Sequence, residues 1–281
     1  MPRTSPVAWA ENRWDPLEWE PAGLRLAPAR FAAPLTWKKS KRIVVQPLHD
    51  VLDEHLPFTV MDRIVGMVWA AQWHTFLVTT RDAARLAQYM QCRTPGAIVN
   101  EFYPFFAARE PAKAAFVSRE DIANDLAAHW PLSNLWCGVA VESQVSAEAR
   151  ISWLLETPAA LRFVRYTASQ TALDLRTITL RDGDVLGPSL YSLGLGRGLD
   201  WVICGGGTEP TDLSWLQCVV EQCQSAHVPC FVESLGRAPY QAADATRLRT
   251  YYPLHGDKQG RSLDDFPPDL QVQQLPMGHV H

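Results

Sequence analysis

Residues 199–207 read Leu-Asp-Trp-Val-Ile-Cys-Gly-Gly-Gly. Trp201, Val202, Ile203 and Cys204 form a continuous apolar run, the pattern of a parallel strand buried on both faces. Gly205, Gly206 and Gly207 follow directly. Glycine in that place lets the backbone approach a ligand closely or turn sharply into a helix. A helical pattern then runs over Leu213–Ala226. The stretch is therefore strand, turn, helix, with a pocket position at the strand end.

Outward from it the same alternation repeats. Strands are expected at Arg42–Val45, Thr75–Val78, Leu135–Val141, Leu161–Tyr166 and Cys230–Val232. Helices are expected at Val60–Ala71, Ala83–Met90, Arg119–His129 behind a Ser118 N-cap, and Ala147–Leu155. Strands alternating with helices imply right-handed βαβ units and a parallel sheet, hence an α/β fold of the partial (β/α) barrel kind. In that architecture function sits on the loops after strand C-termini. Residues 1–36 are rich in Pro, Trp and Ala without periodicity and read as an extended N-terminal arm. Residues 37–281 then form one domain, less regular over 92–131.

Composition excludes several classes. The net charge of −4 offers no general attraction for nucleic acid or anionic membranes, so such binding needs a local basic patch. One candidate is Trp37-Lys38-Lys39-Ser40-Lys41-Arg42, which reads either as a nucleic-acid contact or as the solvated lead-in to a strand. The 11 tryptophans are numerous enough to serve pocket walls and interfaces as well as the core. Trp9, Trp14 and Trp19 make the arm a candidate protein contact. No apolar run reaches the ~20 residues of a membrane span, so no membrane contact is expected. The N-terminus lacks the apolar segment of a secretory signal. The six cysteines lack the spacing of a small secreted domain, which points to reduced thiols and a cytoplasmic location.

Candidate chemistry is sparse. His49, Asp50, Asp53, Glu54 and His55 follow the first expected strand and read either as divalent-metal donors or, more simply, as a polar helix start. Cys218, Cys223, His227 and Cys230 resemble a ligand set only loosely, because Cys223 lies five residues after Cys218 and does not share its helix face. Neither set is expected to hold a metal. Gly194–Gly198 precedes a strand, the wrong side for a phosphate loop. Gly205, Gly206, Gly207 and Thr208 have the right context for a ligand cradle, with a plain tight turn as the simpler account. Glu142, after the strand Leu135–Val141, is the best-placed single acid, or else a helix cap. No nucleophile elbow, HExxH or Walker pattern occurs.

Several segments together resemble a phage-encoded radical-SAM-like family of unknown function. The similar stretches are Arg30–Asp50, Pro57–Arg85 with its WHTFLVTTRDAAR, Asn134–Gln144, Thr157–Val164, Leu199–Gly206, Trp215–Gly236 and the tail GDKQGRSLDDFPPDLQVQQLP. The likeness implies a partial barrel of the radical-SAM type. In that family three cysteines ahead of the first strand hold an iron–sulfur cluster, whereas here the first cysteine is Cys92. Clusters need thiolates, so the cluster is expected to be absent, and S-adenosylmethionine is not expected as a cofactor. Where the family has a Lys-Arg pair, Ala-Glu-Pro, Gly-Gly-Glu and Lys-Gln-Trp-Gly, this chain has Thr80-Arg81, Tyr166-Thr167-Ala168, Gly205-Gly206-Gly207 and Glu233-Ser234-Leu235-Gly236. The departures fall at strand C-termini while scaffold segments persist.

The expected function is therefore that of a non-catalytic binding or interaction protein, a degenerate relative of phage or prophage type. The rival is an enzyme with a repurposed barrel mouth acting on a small or nucleotide-like ligand. In that case Asp50 or Glu142 is the acid/base, His49 a proton shuttle, and Gly205–Gly207 with Thr208 the cradle.

Overall fold

The computed structural model describes residues 13–20, 23–45, 50–242 and 249–276, which form a mixed α/β fold. They divide into two compact units, and the division passes through one strand between Gly138 and Val139. The first unit holds β1 (Arg13–Trp14), β2 (Leu17–Glu20), β3 (Gly23–Leu26), α1 (Pro28–Phe31), α2 (Ala33–Thr36) and β4 (Arg42–Val45). It continues with α3 (Phe58–Ala70), β5 (Thr75–Thr80), α4 (Ala83–Cys92), α5 (Pro95–Arg109), α6 (Pro111–Ala114), α7 (Arg119–Ala128) and β6 (Leu135–Val141) up to Gly138, and takes in Thr157–Leu161 as well. The second unit holds the rest of β6, then α8 (Gln144–Glu156), β7 (Leu161–Ala168), β8 (Tyr191–Ser192), β9 (Arg197–Gly198) and β10 (Trp201–Gly206). It closes with β11 (Thr211–Asp212), α9 (Leu213–Ala226), β12 (Cys230–Ser234), β13 (Pro239–Ala242) and β14 (Arg249–Tyr251). Seven strands make the main sheet in the order β1-β4-β5-β6-β7-β10-β12. The β1–β4, β4–β5, β7–β10 and β10–β12 pairs are parallel, as the strand–helix alternation requires.

In the first unit, helix starts follow local side-chain chemistry. The Ser118 hydroxyl accepts from the Asp121 N–H at 3.1 Å while the Asp121 carboxylate accepts from the Ser118 N–H at 2.8 Å, a capping box that begins α7. Asp82 caps α4 by accepting from the Arg85 N–H at 2.9 Å. Helix α3 buries Met61, Ile64, Val65, Met67 and Val68 on one face. It also buries Asp62, which accepts from the Tyr89 hydroxyl at 2.9 Å and pairs with the Arg93 guanidinium.

Two features of this unit differ from the sequence reading. Residues 13–36 are not an extended arm: Arg13 and Trp14 pair with Val44 and Val45, and the hairpin and two short helices follow. Trp14 is 2% exposed, its Nε1 donates to the Arg30 carbonyl at 2.8 Å, and its ring lies against Phe31 and Phe76. A two-residue strand carries no period, which is why the sequence pattern is silent there. Helix α5 was likewise expected to be irregular. Its Thr94 cap and Pro95 first turn are sound helix signals, but Phe102, Tyr103, Phe105 and Phe106 spread apolar surface around the helix and blur the stripe. Gly66 lets α3 meet α5 at close range, since a Cβ there would lie 2.2 Å from Phe102 Cγ.

In the second unit, Trp201, Val202, Ile203 and Cys204 are buried, as the apolar run predicts, with Phe163, Val164, Phe231 and Val232 on the flanking strands. Helix α9 begins at Asp212, whose carboxylate accepts from the Ser214 N–H at 3.0 Å, and ends at His227 in a left-handed cap with φ 56°. The Gly194–Gly198 segment joins β8 to β9 as a small hairpin. Asp184 holds it by accepting from the Ser192 hydroxyl at 2.8 Å and the Gly194 N–H at 3.2 Å. Those donors keep the Asp184 carboxyl below its usual range. No helix among the described residues is long and apolar enough to cross a membrane.

Candidate functional site at the strand ends

The end of β10 is shaped by contact with its own chain. The β10–β12 register shifts between Cys204 and Gly205, bringing Gly205 opposite Ser234. A Cβ on Gly206 would lie 2.3 Å from the Leu235 carbonyl oxygen, and one on Gly205 2.8 Å from Glu233 Cγ. Gly236, at φ 85°, crosses Gly206, and Leu235 N–H donates to the Gly260 carbonyl at 2.7 Å. The bare backbone of Gly205 and Gly206 thus admits residues 233–236. The Gly207 carbonyl accepts from the Arg237 N–H at 3.1 Å, and Thr208 is exposed. Asp212 already caps the helix beyond this turn, so its first N–H groups have an internal acceptor.

Polar side chains at these ends are paired. Arg165 on β7 grips Glu233 on β12 with Nη2 at 2.9 and 3.1 Å from the two carboxylate oxygens and Nε at 3.2 Å. Glu142, just past β6, accepts from Arg150 Nη1 at 3.0 Å, and the same guanidinium donates to the Ala140 carbonyl at 2.6 Å. Glu142 N–H donates to Ser146 Oγ at 2.9 Å, so this acid fastens the start of α8. The Tyr166 hydroxyl donates to the Thr171 carbonyl at 2.6 Å, and burial pushes its ionisation upward. The Arg165–Glu233 pair was missed in the sequence because its members lie 68 residues apart. The only local hint is Arg165 itself, at a half-buried position between buried Val164 and Tyr166.

In the first unit, Asp50 Oδ2 accepts from the Thr80 hydroxyl at 2.7 Å and from the Arg81 N–H at 2.6 Å, and Oδ1 accepts from the Leu52 N–H at 3.0 Å. Asp50 therefore ties the loop after β4 to the end of β5. His49 lies outside the described residues. His55 sits 3.2 Å from Asp53 at an exposed turn. Lys41 lies over the Trp37 ring at 4.5 Å, with Lys38 and Lys39 exposed beside it. Of the tryptophans proposed as a contact arm, Trp14 belongs to the core and Trp9 lies outside the described residues.

The thiols do not fit an iron–sulfur cluster of the kind implied by the resemblance. Residues 1–91 contain no cysteine. Cys204, Cys223 and Cys230 are fully buried, with Cys204 Sγ 4.0 Å from Cys230 Sγ. Hydrogen bonding among the three splits them, pushing Cys204 and Cys223 upward and Cys230 downward, while burial opposes ionisation of each. Among the described residues, no group of three or more His, Cys, Asp or Glu side chains is arranged to hold a metal ion.

Residues 4–267 match the model of a family described as protein of unknown function (DUF5131). No curated protein and no solved structure matches the chain.

Proposed function

Because the chain belongs to the DUF5131 family, we propose its function from geometry: a partial barrel of radical-SAM-like type that no longer runs iron–sulfur chemistry and acts as a non-catalytic binding protein. One observation carries the reading. The strand-end carboxylates Asp50, Glu142 and Glu233 are each engaged by internal donors at 2.6–3.0 Å at their shortest contact. A general acid or base must offer its oxygen to a substrate and exchange a proton near the working pH. A carboxylate clamped by a guanidinium or by backbone N–H groups has its oxygens occupied and aimed inward. The glycine end of β10 supports the same reading, since its close approach is to Leu235 and Gly236.

Anaerobic reconstitution of the full chain with iron and sulfide tests this. The expected result is iron well below one cluster per chain and no cleavage of added S-adenosylmethionine. Stoichiometric cluster with cleavage would overturn the proposal. Turnover of a nucleotide or other small molecule that is lost in Glu142→Gln or Asp50→Asn would replace it with the enzyme reading.

A further inference from the structure

A groove of about 510 Å³ lies in the first unit between the C-terminal turn of α3 and the α5–α6 region, floored by Trp69, Trp73 and Phe106 and edged by Phe116, Val117 and Lys113. Its aromatics are held in place. Trp69 Nε1 donates to Asp125 at 2.6 Å, and its ring meets Phe102 and Phe106 edge-on. Trp73 Nε1 donates to the Trp37 carbonyl at 2.9 Å, and both the Trp73 and Trp37 rings lie against buried His74. Yet Trp73 is 40% exposed and Phe116 89% exposed, unusual for rings of this size in a folded chain. Trp73 is fixed without being covered.

The Trp73 bond to the Trp37 carbonyl sets a basic turn beside the groove, where Lys41 lies over the Trp37 ring and Lys38 and Lys39 stand exposed. Lys113 provides a further cation on the lining, partnered by Glu110 at 3.1 Å. No carboxylate lines the groove among the described residues. Asp125, whose side chain is 40% exposed, accepts from the Trp69 N–H and lies 3.1 Å from His129. In a chain of net charge −4 the positive charge gathers in the basic turn, where Lys38, Lys39, Lys41 and Arg42 stand in a stretch, residues 31–49, that holds no Asp or Glu.

We infer that this groove, with Trp73 and Phe116 as stacking faces, and the basic turn beside it, with Lys38, Lys39 and Lys41 as phosphate contacts, bind single-stranded nucleic acid. Every base has a π-face that an aromatic shelf can take, while lysines track the backbone between bases. A duplex keeps its bases stacked inside and has no use for the rings. A lipid surface also takes exposed rings, and the vesicle titration separates it from nucleic acid. The inference names the partner class for the binding reading above, and its test is independent of the iron result.

The experiment is fluorescence anisotropy of a fluorescein-labelled oligothymidylate titrated with the full chain at several salt concentrations. Binding is expected to saturate, quench tryptophan emission and weaken as salt rises, by about 0.7 in log–log slope for each phosphate contact. Phe116→Ala is expected to weaken binding roughly tenfold, as loss of one stacked base does. Its exposure leaves little packing to lose, so its melting temperature should match the parent. A Lys38→Glu/Lys39→Glu variant should lose affinity and flatten the salt slope. Three results overturn the inference: no binding at low salt, affinity unchanged in both variants, or stronger binding to duplex DNA or phosphatidylserine vesicles than to the oligothymidylate. None of these bears on whether the chain assembles a cluster.

Discussion

The ends of β7, β10 and β12 and the groove floored by Trp69 and Trp73 use their functional-looking groups in opposite ways. At the strand ends Arg165 closes on Glu233, Arg150 on Glu142, and Gly206 on the Leu235 backbone, so that charge and bare backbone are consumed inside the fold. In the groove, Trp73 and Phe116 are fixed or edged by neighbours and left open to solvent, with lysines close by. A place that does chemistry on a ligand keeps polar groups available, and a place that binds keeps surface available. By that measure the reading proposed above gives the strand ends a structural role and assigns binding to the helical flank.

The contrast can be broken most sharply at Gly206. If its lack of a side chain serves the Leu235 crossing, Gly206→Ala should destabilise the chain by roughly 2–3 kcal/mol, the upper part of the range for overpacking, because the Cβ meets rigid backbone. Urea denaturation measures this. A stable Gly206→Ala that instead loses affinity for a small ligand would return the glycine run to the role of a cradle.

Next in size is the Arg165–Glu233 pair. Glu233→Gln leaves a half-buried guanidinium with poorer acceptors and should lower stability by about 1–3 kcal/mol. The double variant Arg165→Met/Glu233→Leu should recover part of that loss, since apolar replacement of both partners removes the stranded charge. If the single variant folds normally but abolishes an activity, the pair is catalytic and the contrast fails.

The smallest effect concerns His74, which holds both Trp37 and Trp73. Its Nδ1 accepts from the Lys41 N–H at 3.1 Å, so Nε2 carries the proton and donates to the Pro34 carbonyl at 3.0 Å. Burial lowers its ionisation below 6.5, with nearby Lys41 adding to the effect and the Pro34 bond partly opposing it. A histidine with a depressed folded pKa contributes stability that is full above its unfolded value, near pH 6.5, and is lost as pH falls toward the folded value. The urea midpoint should therefore drop between about pH 7 and pH 5, with a shallower drop in His74→Gln. An equal drop in both proteins would remove His74 as the anchor of the two rings.

Much of the scaffold was legible in advance where the signal is local. Arg42–Val45, Leu135–Val141 and Leu213–Ala226 were expected with the bounds they have, because continuous apolar runs and a helical stripe mark buried strands and amphipathic helices. Ser118 announced its helix through capping chemistry that lies within four residues. Asp50 and Glu142 do sit just past strands as expected, yet what each does depends on Thr80 and Arg150, which no spacing rule selects. Helix α5 was hidden by aromatics on several faces, and β1 by its length of two residues.

The sequence by itself determined the segments with a continuous apolar run or a helical stripe, such as Leu135–Val141 and Leu213–Ala226, the parallel pairing of the strands that alternate with helices, and that residues 1–91 hold no thiol for a cluster. Tertiary structure alone decided that Gly206 meets Leu235, that Arg165 finds Glu233, and that Trp69, Trp73 and Phe116 gather around one groove with the basic turn bonded to its Trp73. The physical reason is range. Backbone propensity and amphipathic period act over a few residues along the chain, whereas pairing of charge and the choice of which apolar face stays uncovered depend on where distant segments land when the core closes.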